Sequence, residues 1–231
     1  MRNAVFFFLV AFLIAGLPFA QEAPPAKEVT GADDLVKEKG QFQETWVRPD
    51  ADITRYSKLY LWNAVFQFRE GGEKGTGTSI GMSRGDQGPY AVREEDQERF
   101  KQVVGDAVVK ELARSKKFEV VDQVGAGTLL VRGAVLDIVS NVPPNVGRSA
   151  NIYLAAVGEA TIVFELIDAE TGVIQARAAE RRSIQPPGQL HQVNSAPTNS
   201  ATVWNDVERW ARGEAQVLRQ ALEKALKKAE K

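Results

Sequence analysis

"EATIVFELIDAETGVIQARAAERRSI", residues 159–184, reads as two strands joined by a tight connection. In the first arm Ala160, Ile162, Phe164 and Leu166 alternate with Thr161, Val163, Glu165 and Ile167. In the second, Ile174, Ala176 and Ala178 oppose Gln175, Arg177 and Arg181, which is the period-two pattern of a strand with one buried face. Between the arms, Ala169-Glu170-Thr171-Gly172 has hairpin length and ends in glycine.

Working outward, "TLLVRGAVLDIV" at 128–139 is a long strand apolar on both faces, and residues 118–122 form a short one. Before them, residues 93–117 place Phe100, Val103, Val104, Ala107, Val108 and Leu112 at helical spacing. Acidic Glu94, Glu95 and Asp96 open this segment, and Arg114, Lys116 and Lys117 close it, as the helix dipole favours. Residues 56–68, "YSKLYLWNAVFQF", make another strand, with Leu59, Leu61 and Val65 on one face and Tyr60, Trp62, Phe66 and Phe68 on the other. A last helix over 203–229 carries Val207, Trp210, Ala211, Leu218, Ala221, Leu222, Ala225 and Leu226 on one stripe, with Asn199, Ser200 and Thr202 competing to cap it. The order strand, helix, strand, strand, hairpin, helix predicts an α/β fold with a single mixed β-sheet and packing helices. One domain over 46–229 follows, with long polar loops at 71–89, 140–158 and 185–202.

The chain begins as a secretory signal peptide does: Arg2, then the apolar run Val5–Leu17, then Ala20 before the polar pair Gln21-Glu22. Cleavage between Ala20 and Gln21 is expected, which makes residues 1–20 a leader and the protein periplasmic. An uncleaved apolar segment tethered to the inner membrane is the alternative. Residues 21–45, rich in Ala, Pro, Glu and Lys, read as a flexible linker. Cysteine is absent, which excludes disulfides, thiolate metal ligands, a cysteine nucleophile and a lipid anchor on cysteine. The net charge of −1 gives no electrostatic reason to expect nucleic acid.

Motifs for chemistry fail one by one. In the 71–89 loop Lys74 is followed by glycine where a P-loop needs Ser or Thr, and Gly75, Gly77 and Gly81 are one residue too widely spaced for the dinucleotide fingerprint. No cofactor is expected. The one histidine, His191, has no triad partner in a recognisable motif; one histidine without cysteine leaves only carboxylates as metal ligands, no loop has EF-hand spacing, and no metal is expected. Asp137 and Glu165 are carboxylates inside strands and candidates for acid–base work, or for neutralisation by Arg132, Arg181 and Arg182 across the sheet. Trp62 and Trp210 are expected in the core. Trp204, Arg181 and Arg182 are the candidate contact residues for a partner.

Four stretches, "WVRPDADITRYSKLYLW" (46–62), "REEDQERFKQVVGDAVVKELARSKKFEVVDQVGAGTLLVRGAVLDI" (93–138), "GEATIVFELIDAETGVIQARAAERRS" (158–183) and "WNDVERWARGEAQVLRQAL" (204–222), together resemble one family. It is the bacterial envelope lipoproteins known as domain of unknown function 3313. The resemblance implies an exported protein with no catalytic residues to carry over. The chain departs from the lipoprotein pattern at Leu17, where such members have their cysteine. More distantly, the element order is similar to small α/β domains of the Tol translocation protein type, which are binding and assembly modules. The expected function is non-enzymatic: binding an envelope protein or cell-wall component. The alternatives are a hydrolase-type enzyme using strand carboxylates and a small-ligand carrier, which needs a sizeable apolar pocket.

Overall fold

A computed structural model of the protein describes residues 28–70, 89–143, 153–185 and 198–229. Its elements are β1 (Val36–Lys37), β2 (Glu44–Val47), a 3-10 turn (Ile53–Arg55), β3 (Lys58–Phe68), α1 (Glu94–Leu112), β4 (Glu119–Val121), β5 (Thr128–Ser140), β6 (Gly158–Asp168), β7 (Ile174–Ile184) and α2 (Ser200–Ala229). The strands form one mixed sheet in the order β1-β2-β7-β6-β5-β3-β4. β3 runs parallel to both β5 and β4, and every other pair is antiparallel. The expected single mixed sheet with packing helices is the observed architecture.

Both helices lie on one face. Phe100, Val104, Ala107, Val108 and Leu112 of α1 and Val207, Trp210, Ala211, Ala215, Leu218, Leu222 and Leu226 of α2 bury against Leu129, Val131, Ala160, Ile162 and Phe164 of the central strands. α2 begins three residues earlier than its apolar stripe suggests. The reason is a reciprocal cap: Thr202 N donates to Asn199 Oδ1 at 3.1 Å, and Asn199 N donates to Thr202 Oγ1 at 2.9 Å. Two otherwise unmatched ends of the first turn are thereby satisfied.

The strand alternation predicted from sequence slips wherever a strand bulges. β3 shifts register against β5 between Leu61 and Asn63, so Phe66 and Phe68 turn toward the helices and stack edge-on to Phe100, while Val65 turns outward. β7 shifts between Ile174 and Ala176, so Ile174 leaves the face of Ala176 and Ala178 and joins Tyr60, Leu130 and Ile167 on the other side. One extra residue reverses every later side chain in a strand.

Residues 28–45 correct the expected flexible linker, whose remaining part, 21–27, lies outside the described residues. β2 extends the sheet beside β7, and Phe42 is 6% exposed, packed edge-on to Phe164 at 5.9 Å. Val29 and Leu35 cover the cluster of Tyr60, Leu130, Ile167 and Ile174. Arg48 holds the segment down: its Nε donates to Ile174 O at 3.0 Å and its Nη2 to Gly31 O at 2.8 Å. The apolar groups here are too few and too far apart to show a period, and the ordering cost is offset by backbone pairing with an existing sheet edge.

Candidate functional site: the helix-free face of the sheet

Beyond the cluster covered by Val29 and Leu35, no described element covers the face opposite the helices. Register arranges its side chains in rows running across the strands. One row is Asn63, Arg132, Glu165, Arg177, Trp46 and Lys37, from β3 to β1. The next is Val65, Ala134, Val163 and Ala179, all partly exposed, and it ends on β2 at Glu44, the partner of Lys37. A third is Leu136, Thr161 and Arg181.

In the first row the one carboxylate is shared by two arginines. Glu165 is 8% exposed, and its Oε1 accepts from Arg177 Nε at 2.8 Å while its Oε2 accepts from Arg132. Two guanidiniums thus satisfy one nearly buried carboxylate with charge-assisted hydrogen bonds. Arg132 also lies over the Trp62 ring at 5.6 Å, and Lys37 over Trp46 at 5.9 Å while pairing with Glu44. Cation–π contacts of this kind anchor long side chains flat on a surface.

Asp137 organises the far end. It has φ of +51°, a left-handed conformation that Asp tolerates better than most residues, at the bulge where β5 slips against β6 between Leu136 and Val139. Arg69 grips its carboxylate with two bonds of 2.6 Å, and Arg181 Nη1 adds one of 2.7 Å. The hydrogen bonds from Arg69 first, then those from Arg181, outweigh desolvation and hold Asp137 below the usual carboxylate range. Arg181 is tied down further, with Nη1 also donating to Thr161 at 3.2 Å and Nη2 to Glu159 at 2.6 Å.

The sequence placed Asp137 and Glu165 as alternative acid–base carboxylates or as partners of arginines, and each is held by two arginines. Arg181 is on the open face. Arg182 points the other way, where its Nε donates to Glu180 at 2.6 Å and meets Glu214 of α2 at 3.5 Å. Trp204 is half-buried against the helix-side core, under the Arg99 guanidinium at 4.6 Å. The three candidate contact residues therefore occupy three different settings. Arg69 and Glu159 were not foreseen, because their partners are fixed by the Asp137 bulge, which has no signal in the sequence. Ala20, Gln21 and His191, with most of the three long loops, lie outside the described residues.

Between α1 and the sheet, bounded by Val104, Gly105, Val108, Val131 and Phe164, the apolar space is about 20 Å³, enough for a water and no ligand. Among the described residues no three His, Cys, Asp or Glu side chains converge as a metal site. No described helix is long and apolar enough to cross a membrane.

The family model described as a protein of unknown function (DUF3313) matches residues 29–214. The match begins at Val29, whose side chain packs under the sheet. No protein of curated function matches the chain. Among solved structures, a DUF330 protein of Xanthomonas campestris aligns with 80% of this chain and 94% of its own, at 13% identity and a TM-score of 0.42. The PelC dodecamer of Paraburkholderia phytofirmans aligns with 80% of this chain and 96% of its own, at 10% identity and a TM-score of 0.34.

Proposed function

The chain belongs to the DUF3313 family, and from that premise we propose that it is an exported, non-enzymatic interaction module of the cell envelope that docks a protein partner on the helix-free face of its sheet. The observation that carries this reading is the row Val65, Ala134, Val163 and Ala179, partly exposed and flanked by two rows whose charged side chains are paired within the face. Such a surface carries little unpaired charge to desolvate, while Arg132, Arg177, Trp46 and Trp62 supply the residue types that anchor interfaces. Acid–base catalysis asks for a carboxyl able to exchange its proton near neutral pH. Asp137 is held low by Arg69 and Arg181, which speaks for a structural part instead. Export rests on the leader-like residues 1–20 and places the partner among envelope proteins.

The test is a photo-crosslinking amino acid introduced in the native host at Val163 or Ala179, with Glu208 on the exposed side of α2 as control. A discrete adduct from the sheet positions and none from 208 is expected. Adducts from 208 alone, or turnover of a substrate by the purified protein, overturn the reading. Intact mass checks export separately: a chain beginning at Gln21 supports it, and one beginning at Met1 refutes it.

A further inference from the structure

β3 has an open edge. β5 pairs along nearly all of it, but on the other side β4 covers only Lys58, Leu59 and Tyr60. From Leu61 to Phe68, no strand lies on that side among the described residues. Proteins ordinarily blunt a free edge by keeping it short, or with charge or proline. The other edge does so: β1 is two residues long and carries Lys37. β4 is three residues long and begins with Glu119. The β3 edge reads Leu61-Trp62-Asn63-Ala64-Val65-Phe66-Gln67-Phe68, with neither charge nor proline. Its middle, Asn63 to Phe66, runs in unbroken register with Arg132 to Val135 between two bulges, so it is regular enough to template another strand.

We propose that this edge is a self-association site, taken by the β3 edge of a second copy in antiparallel pairing about a two-fold axis at Val65. The argument is self-complementarity. Centred there, Val65 meets Val65, Asn63 of each chain meets Gln67 of the other, and Ala64 meets Phe66. No charge is opposed or buried, and every free backbone group in the segment gains a partner of the kind it lacks. Val65 is 50% exposed as the chain stands. Among the described residues nothing blocks the approach, because β4 pairs no further than Tyr60 and the two-fold carries the other chain's β4 beyond Arg69. Directly opposed residues of an antiparallel pair project to the same side, so the axis is perpendicular to the sheet. The helices of both copies then share one side, and the row Val65, Ala134, Val163 and Ala179 continues into its mate, doubling the open face. The proposal does not depend on the partner-docking reading, which a monomer would leave intact.

The test is the mass of the purified protein in solution by light scattering and sedimentation across roughly 1–100 µM, the range of modest specific association. A dimer is expected. Val65→Lys and Val65→Glu should each weaken it at least about tenfold, since like charges then face each other at cross-strand distance. Mixed together, the two variants should restore a one-to-one dimer. If either variant folds poorly, Val65→Cys gives an independent reading in a chain with no other thiol. Mild oxidation should link it into a dimer, whereas Val109→Cys on the exposed side of α1 should not link. A wild-type protein that stays monomeric throughout, or a dimer that survives both charged variants, overturns the proposal.

Discussion

The Tyr56 hydroxyl donates a 2.6 Å hydrogen bond to Asp168 Oδ2, joining the residue that leads into β3 to the turn of a hairpin 112 residues away. The other oxygen of the same carboxylate accepts from the backbone N–H of Glu170 at 2.9 Å and Thr171 at 2.8 Å, closing the turn that Gly172 completes at φ of +74°. Asp168 is 3% exposed and Tyr56 6%, so this small network is dry. It ties β3, which carries the open edge, to the β6–β7 hairpin, which carries most of the open face.

Tyr56→Phe should therefore lower unfolding stability by about 1.5–3 kcal/mol, the range for a hydrogen bond to a charged group, measured by urea denaturation at neutral pH. Burial raises the pKa of Asp168, but the bonds from Tyr56 and from the Thr171 and Glu170 amides outweigh it and leave the group below its ordinary 3.8. A carboxylate with a depressed folded pKa stabilises above its unfolded value and loses that contribution as pH falls. The penalty of Tyr56→Phe should accordingly shrink below about pH 3.8. A constant penalty down to pH 2 would assign the effect to packing.

Phe42→Ala should cost about 3–5 kcal/mol, as for a large aromatic removed from a core, because the ring is packed against Phe164. Truncation to Trp46 should cost at least as much, since it also removes β1 and half of β2. Thermal unfolding of both variants checks this. A truncated domain as stable as the parent would return residues 28–45 to the status of a linker.

Long elements with a clean period were legible in the sequence: α1, β5 to β7 and α2 stand within a few residues of where apolar spacing puts them. β1 and β2, two and four residues long, are too short to show any period. The open face was half legible for a different reason. Counting back from the turn, with Asp168 opposite Val173, sets Glu165 opposite Ala176. The bulge at Gln175 adds one residue and brings Arg177 opposite Glu165 and Arg181 opposite Thr161. Residue types thus announced an arginine–carboxylate face, but only the bulges decided who pairs with whom.

Two glycines should respond in opposite directions to alanine. A Cβ at Gly158 would stand against the Val139 carbonyl oxygen, deep inside contact distance, where the β5 bulge ends. Backbone cannot yield as a flexible side chain does, so Gly158→Ala should destabilise by about 1–3 kcal/mol. Gly213 sits inside α2 with nothing within 4 Å of its would-be Cβ. Gly213→Ala should stabilise by about 0.5–1 kcal/mol through helix propensity alone. Equal signs for the two in thermal melts would contradict the packing described at one site or the other.

On the helix side, Glu214 of α2 is pushed up to about 7 from an ordinary 4.5, first by burial and then by Glu180, against the pull of Arg182. One oxygen of Glu214 and one of Glu180 have no hydrogen-bond partner, so each carboxylate is incompletely compensated by the single guanidinium they share. A carboxyl whose pKa rises on folding binds its proton more tightly in the native state. Its favourable contribution is complete below pH 4.5 and is lost as pH climbs through 7. Native stability should fall across that window by an amount that Glu214→Gln abolishes, because the amide keeps the shape without the charge. Above pH 7 the variant should be the more stable protein, by roughly 1–3 kcal/mol. Arg182→Ala should act in the opposite sense and steepen the loss, since it removes the guanidinium that faces both carboxylates. Denaturation midpoints for the three proteins at pH 5 and pH 8 decide it: parallel behaviour would mean that water already reaches this cluster and screens it.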